Sequence, residues 1–234
     1  MISTYCNTAA VDEAQVSLYI GNEMIANFFC TPQEISELCI GHLYIQGIIN
    51  KAEDVLLKEV ETREPRKIIA TLYPHTQNLQ TQNQQVRGTR DQLDRETQAA
   101  PPTPPIEELR SAAAEMFAMA EIYPKCGGVH CSALLEGSEI VAFKEDIGRH
   151  NAMDKVIGEA LQKHKDISQL IYLTSGRINA EIINKAARAG LRIVVSRSIV
   201  STIALEKARK HGIGLVGRIE WKEPIVYEER ITKK

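Results

Sequence analysis

The chain has 234 residues, with 28 Lys+Arg against 30 Asp+Glu, five cysteines and 5% aromatics. That length accommodates one large or two small domains, burying roughly 70–75% of the unfolded chain's surface, and 44% hydrophobic with 25% charged residues excludes a wholly disordered or fibrous chain. No apolar run approaches the ~18 residues of a membrane span, and the first ten residues lack a basic start followed by an apolar stretch, so the expectation is a cytoplasmic protein with reduced thiols and no membrane partner.

In chain order, alternation predicts strands at Val16–Ile20 and Met24–Phe29 around Gly21-Asn22. Thr31-Pro32-Gln33-Glu34 reads as a helix start, with Thr31 capping and Glu34 reaching back. The helix it opens carries Ile35, Leu38, Cys39, Leu43 and Ile45 and ends at Gly47. Strands at Asp54–Val60 and Lys67–Tyr73 complete a small α+β domain over 1–73. Residues 74–105 hold seven glutamines and five of the nine prolines with no Cys, Ile, Phe or Trp, the composition of a linker or mobile loop.

From 106 to 234 the elements alternate in type. Helices are expected at Ile106–Ala120, Asn151–His164, Asn179–Ala189 and Ser201–Lys210, and strands at Val129–Leu135, Ile140–Phe143, Leu170–Leu173, Ile193–Val195 and Gly214–Ile219. The order α-β-β-α-β-α-β-α-β predicts an α/β domain of three layers, a sheet with helices on both faces.

Charge is unevenly spread. Residues 1–138 carry 10 basic and 18 acidic side chains, residues 139–234 carry 18 and 12. A moderately basic C-terminal part suits an anionic ligand; a nucleic-acid track would need more charge and interleaved aromatics. In α/β sheets ligands collect where strands feed helices. Three such crossings carry arginines: Glu145-Asp146-Ile147-Gly148-Arg149-His150-Asn151, Thr174-Ser175-Gly176-Arg177 and Ser196-Arg197-Ser198. An arginine at the positive end of a helix is unfavourable unless an anion is shared, which a phosphate or pyrophosphate would supply. The alternative is that these arginines pair with Glu145, Asp146 or Glu181.

Cys126-Gly127-Gly128-Val129-His130-Cys131 precedes a strand. Its glycines permit positive φ or close approach to a ligand, and His130 with a thiol suits acid–base or sulfur chemistry; an ordinary glycine turn and a buried Cys131 is the plainer alternative. No two cysteines have C-x-x-C spacing, and Cys126, His130 and Cys131 lack a fourth zinc ligand. His150 and Asp154, four apart on one helix, are better read as a helix-start hydrogen bond than as a metal pair. Cys6, Cys30 and Cys39 look structural.

The block Glu145-Asp146-Ile147-Gly148-Arg149-His150-Asn151-Ala152-Met153-Asp154-Lys155 is similar to the signature of the formate dehydrogenase accessory protein (FdhD) family. Gly127-Gly128-Val129-His130, Ser175-Gly176-Arg177, Ser196-Arg197-Ser198 and Val216-Gly217 resemble further blocks of that family in the same order, as do Thr31-Pro32, Glu37-Leu38, Ile40-Gly41-His42-Leu43 and Gly47-Ile48-Ile49 near the start. The resemblance implies a cytidine-deaminase-like C-terminal domain without zinc chemistry. It also implies a sulfur carrier that takes persulfide sulfur from a cysteine desulfurase and delivers it to the molybdenum bis-guanine-dinucleotide cofactor of formate dehydrogenase. The cofactor would be held by Gly127, Gly128, His130, Asp146, Gly148, Arg149, His150, Asn151, Ser175, Gly176, Arg177, Ser196, Arg197, Ser198 and Gly217. The family usually carries a C-x-x-C pair between its two parts; residues 74–105 contain no cysteine, and Cys126, where the family usually has threonine, is the local substitute. The match ends before Arg218-Ile219-Glu220-Trp221. A non-catalytic cofactor-binding protein or chaperone of a molybdoenzyme is the alternative, and a homodimer stays open. A zinc nucleoside deaminase would need H-x-E with P-C-x-x-C, and neither motif is present.

Overall fold

The computed structural model describes residues 2–5, 8–60, 66–73 and 101–227. The expected linker at 74–105 lies outside the described residues up to residue 100, as does Cys6. Three sheets are present among the described residues. Strands β1 (Ile2–Tyr5) and β2 (Thr8–Val11) pair antiparallel. A four-stranded sheet has the order β4-β3-β6-β5, built from β3 (Ala14–Ile20), β4 (Glu23–Cys30), β5 (Val55–Val60) and β6 (Arg66–Leu72). Helix α1 (Ile35–Ile45) follows β4.

The second half contains α2 (Ile106–Ala118), the short α3 (Tyr123–Cys126), β7 (His130–Glu136), β8 (Glu139–Asp146) and α4 (Arg149–Gln162). It continues with β9 (Leu170–Thr174), α5 (Ala180–Ala189), β10 (Ile193–Ser196), α6 (Thr202–His211), β11 (Gly214–Gly217) and β12 (Ile225–Val226). These strands form a mixed sheet in the order β12-β11-β10-β9-β7-β8. Strands β9, β10 and β11 run parallel, and β7 is antiparallel to both β8 and β9.

Local chemistry explains the helix ends. Asn179 caps α5 by accepting the Ile182 N–H at 3.0 Å, and Ser201 caps α6 through the Ala204 N–H at 3.3 Å. Gly190 and Gly212 close these helices at φ +90 and +60, the left-handed C-cap that glycine adopts without strain. Strand alternation divides the core. Cys131, Ala133, Leu135, Ile171, Leu173, Ile193, Val195 and Val216 pack with Leu109, Ala112, Ala113 and Met116 of α2. Leu134, Ala142, Leu170, Tyr172, Val194 and Leu215 face the buried stripes of α4, α5 and α6. That second cluster runs on without a break into α1 and the inner face of the four-stranded sheet. Each fully buried Leu, Ile or Met contributes about 1.5–3 kcal/mol relative to an exposed one.

Two glycines set how α1 meets α4. A Cβ on Gly41 would overlap the Asp154 carbonyl, and one on Gly158 would overlap the Glu37 carbonyl. Backbone therefore touches backbone at this crossing. Along β8, two of the backbone groups that face away from β7 are taken by side chains of the α4 end. Lys163 Nζ donates to Val141 O at 2.8 Å, and Phe143 N–H donates to Glu159 Oε2 at 3.2 Å.

One expectation is corrected. Thr31 does not cap α1, whose N-cap is Glu34 at φ 54 with no side-chain cap bond. The Thr31 N–H and hydroxyl instead both reach Asp146 Oδ2, at 3.1 and 3.0 Å. A buried carboxylate 115 residues away outcompetes the local helix end for this hydroxyl. The sequence reading also passed over β1, β2, α3 and β12, each four residues or shorter.

Candidate functional site

Topology gathers the flagged residues on one edge of the six-stranded sheet. The C-terminal ends of β9, β10 and β11 deliver Ser175, Arg197 and Gly217 there. Because β7 runs against β9, its first residue His130 lies at the same edge, directly opposite Asp146 at the end of β8. Next to it starts α4, with Gly148 as N-cap and Arg149 and His150 in its first turn, where no acidic residue sits. The loops after β9 and β10 are stitched together by Ile178 N–H to Ile199 O at 3.0 Å and Ser201 N–H to Ile178 O at 2.9 Å.

At the centre are Arg149, Arg177, Gly176 and His130. A Cβ on Gly176 would stand 3.3 Å from both the Arg149 Cβ and His130 Nδ1, so glycine lets the arginine and the histidine close on this backbone. Burial, and then the charges of Arg149 and Arg177, hold His130 below its ordinary pKa of 6.5, against a smaller opposing effect of Asp146. The imidazole is thus a neutral ring between two cations. Neither arginine takes the carboxylates offered as alternatives. Asp146 pairs with Lys155 at 2.7 Å and Glu181 with His150 at 3.2 Å, while Glu145 accepts backbone N–H groups. Arg149 Nε is buried and has no hydrogen-bond partner, and Arg177 is exposed. Among the described residues neither guanidinium group has an ion-pair partner, and two such groups beside a helix N-terminus are suited to a phosphate or diphosphate.

Other flagged residues hold the frame. Asp146 Oδ1 accepts from Gly148 N–H at 2.8 Å and Asn151 Nδ2 at 3.0 Å, and the Asn151 amide also donates to Phe29 O at 2.7 Å. Ser175 Oγ accepts the Cys131 N–H at 3.0 Å. The Ser196 hydroxyl donates to Gly176 O at 2.6 Å and accepts the Ser198 N–H at 2.8 Å. Gly217 lies against Tyr227 and the Ser198 carbonyl, 3.1 and 3.2 Å from where a Cβ would be. Arg197 differs from the other two arginines: it pairs with Glu220 at 2.7 Å, donates to the Tyr123 hydroxyl at 2.7 Å and lies over the Phe117 ring at 4.9 Å. Two arginines, not three, are left for an anion. Arg218 stacks on Trp221 at 4.0 Å.

Cys126 ends α3, and Gly127 follows at φ +65. Its thiol donates to Ile122 O at 3.3 Å, and the Gly128 N–H donates to its sulfur at 3.4 Å. Cys30, Cys39 and Cys131 are buried, and burial pushes each thiol up to about 12. Among the described cysteines, only Cys126 is partly open to solvent. His150 and Asp154 part company: Asp154 takes Lys185 at 2.6 Å and His42 at 3.3 Å. Among the described residues, no group of three or more His, Cys, Asp or Glu is placed to hold a metal ion, and no helix is long and apolar enough to cross a membrane.

Lys155, Thr31 and Tyr123 are working parts of this edge that sequence reasoning missed. Lys155 and Thr31 each carried a signal, one as the last residue of the long family-like block and the other in the Thr31-Pro32 pair; Tyr123 carried none.

A family model described as FdhD/NarQ matches residues 11–232. The chain belongs to the FdhD/NarQ family. Among its relatives, the sulfur carrier protein FdhD of Staphylococcus aureus strain MRSA252 is 28% identical over 227 residues, covering 89% of this chain and 83% of that one. That of strain Newman is 27% identical with the same coverage. A crystal structure of a protein described as a formate dehydrogenase accessory protein, from Desulfotalea psychrophila, superposes with a TM-score of 0.74 at 23% identity, covering 99% of this chain and 97% of that one. At that identity the likeness concerns the mixed α/β fold. The family block and the crevice fall together: Arg149 and Arg177 both lie in segments that resemble it.

Proposed function

We propose that this chain is a cytoplasmic sulfur carrier serving a formate dehydrogenase; the Staphylococcus aureus relatives are named sulfur carriers, and the Desulfotalea psychrophila protein is described as a formate dehydrogenase accessory protein. In this reading a cysteine desulfurase donates sulfur and the molybdenum bis-guanine-dinucleotide cofactor receives it. The six-stranded sheet with its helices is then a deaminase-like domain adapted to hold this substrate. The observation that carries the proposal is the Arg149 and Arg177 pair beside neutral His130, without an ion-pair partner among the described residues. The cofactor enters as substrate, its diphosphate meeting the two guanidinium groups. Gly176 leaves room for close approach, and the partnerless Arg149 Nε is one donor the diphosphate would satisfy.

Cys126 is the sulfur acceptor. Its thiolate attacks the outer sulfur of the desulfurase persulfide; the new S–S bond forms on Cys126 as the old one breaks, and the desulfurase leaves as a thiolate. Gly128 N–H is placed to stabilise the charged sulfur.

Incubation with a desulfurase and radiolabelled cysteine should place reductant-labile label on wild type and none on Cys126→Ala. No label on wild type ends the sulfur-carrier reading. GDP binding by calorimetry should weaken by tenfold or more (about 1.4 kcal/mol or more) in Arg149→Ala and in Arg177→Ala; unchanged affinity in both ends the anion-site reading. The second reading, a cofactor-binding protein without sulfur transfer, is favoured by the absence of any cysteine from 74–105. GDP binding without label would select it.

A further inference from the structure

We propose that Glu145 is the positioning residue for Cys126, a role that rests on Cys126 being the sulfur acceptor. Glu145 is buried, at 7% exposure, at the end of β8, and its carboxylate is spent on three consecutive backbone amides. Oε2 accepts from Glu121 N–H at 2.7 Å and Ile122 N–H at 2.9 Å, and Oε1 accepts from Tyr123 N–H at 2.7 Å. A protein carboxylate thus occupies the place an external anion would take at the start of α3, so the substrate's phosphates are directed to Arg149 and Arg177. The same residue that is held at its N–H, Ile122, receives the Cys126 thiol at its carbonyl, 3.3 Å away. Two hydrogen bonds and one peptide unit connect the Glu145 carboxylate to the reacting sulfur.

Sequence connects Glu145 in the other direction to the crevice. Asp146, adjacent in β8, holds the Gly148 N–H and Asn151 that start α4, and Arg149 lies between them. Glu145 therefore fixes the thiol relative to Arg149 through one short segment held by the Asp146 hydrogen bonds. A second clamp acts on the same turn: the Arg197 guanidinium, locked by Glu220, holds the Tyr123 hydroxyl at 2.7 Å. Charge-assisted bonds of this kind are the stronger class of hydrogen bond, and removing their acceptor leaves three amides unpaired.

The test compares wild type, Glu145→Gln and Glu145→Ala. Amide hydrogen exchange is read at residues 121–123, single-turnover labelling of Cys126 is read against desulfurase concentration, and GDP binding serves as the check on the crevice. In Glu145→Ala the amides of 121–123 should exchange at least about tenfold faster. The maximal transfer rate should fall about 10²-fold, the scale of an ångström-sized misplacement, with the half-saturating desulfurase concentration and GDP affinity unchanged. Glu145→Gln, which keeps one acceptor oxygen, should fall between and stay folded if the alanine variant does not. Wild-type exchange and wild-type transfer rate in Glu145→Ala would overturn the proposal. If wild type itself takes no label, the acceptor reading fails, and exchange at 121–123 alone then decides whether Glu145 positions the turn.

Discussion

Lys155 Nζ lies 2.7 Å from Asp146 Oδ2, with both side chains wholly removed from water. Thr31 closes the group: its hydroxyl accepts from Lys155 at 2.7 Å and donates to the same carboxylate oxygen. An ion pair this deep is kept only where its remaining polar atoms are matched, and here they bind the N-terminal part of the chain to the start of α4. Lys155→Met leaves Asp146 charged without its counter-ion. We expect a loss of about 3–5 kcal/mol in urea unfolding; a loss below about 1 kcal/mol would contradict the pairing.

Gly158→Ala separates packing from propensity. In an exposed helix interior, this exchange stabilises by about 1 kcal/mol. Within α4, the added methyl would overlap the Glu37 carbonyl of α1, and overpacking of this kind costs about 1–3 kcal/mol or more. Thermal unfolding should therefore occur at a lower temperature than in wild type. A rise would show that the helices part without penalty.

His130 and His150 both titrate below their ordinary 6.5 in the folded chain, with burial the largest cause for each. Between the folded value and 6.5 the unfolded chain binds a proton that the native chain refuses. Their contribution to stability is therefore whole above about pH 6.5 and is lost as pH falls through the folded values. For His130 the next causes are Arg149 and Arg177, so its imidazole resonance should titrate at higher pH in Arg149→Ala and in Arg177→Ala. An identical NMR titration curve in both variants would remove these cations from its surroundings.

Native alkylation at pH 8 should discriminate among the described cysteines. With thiols pushed up to about 12, Cys30, Cys39 and Cys131 have a thiolate fraction of about 10⁻⁴ at that pH, and only the thiolate reacts. Mass spectrometry of iodoacetamide-treated protein should find Cys126 modified first. Equal labelling of Cys131 would mean that β7 opens on the timescale of the reaction.

Much of the second half was legible because its signals are local. Asn179 and Ser201 announce helix starts, Gly190 and Gly212 announce ends, and the expected strands fall within a residue or three of their observed limits. What failed depends on distance along the chain. Thr31 has the composition of a cap, yet its partner is 115 residues away. Arg197 sits at a crossing like those of Arg149 and Arg177, but Glu220 and Tyr123 meet it from two other elements. No pattern within the Ser196-Arg197-Ser198 block announces that capture. Edge placement could be inferred from strand order; which guanidinium groups stay unpaired could not.

On the flank of β8 away from β7, Val141 O and Phe143 N–H are already bonded, by Lys163 and Glu159. An incoming chain would have to displace both side chains to extend the ladder on this flank, which disfavours β-augmentation, a common way for one protein to grip another, along that stretch. A partner docking on this flank would instead have to recognise side chains, without disturbing the α4 contacts that seal the sheet. The same seal keeps an otherwise sticky border from joining copies of the chain edge to edge.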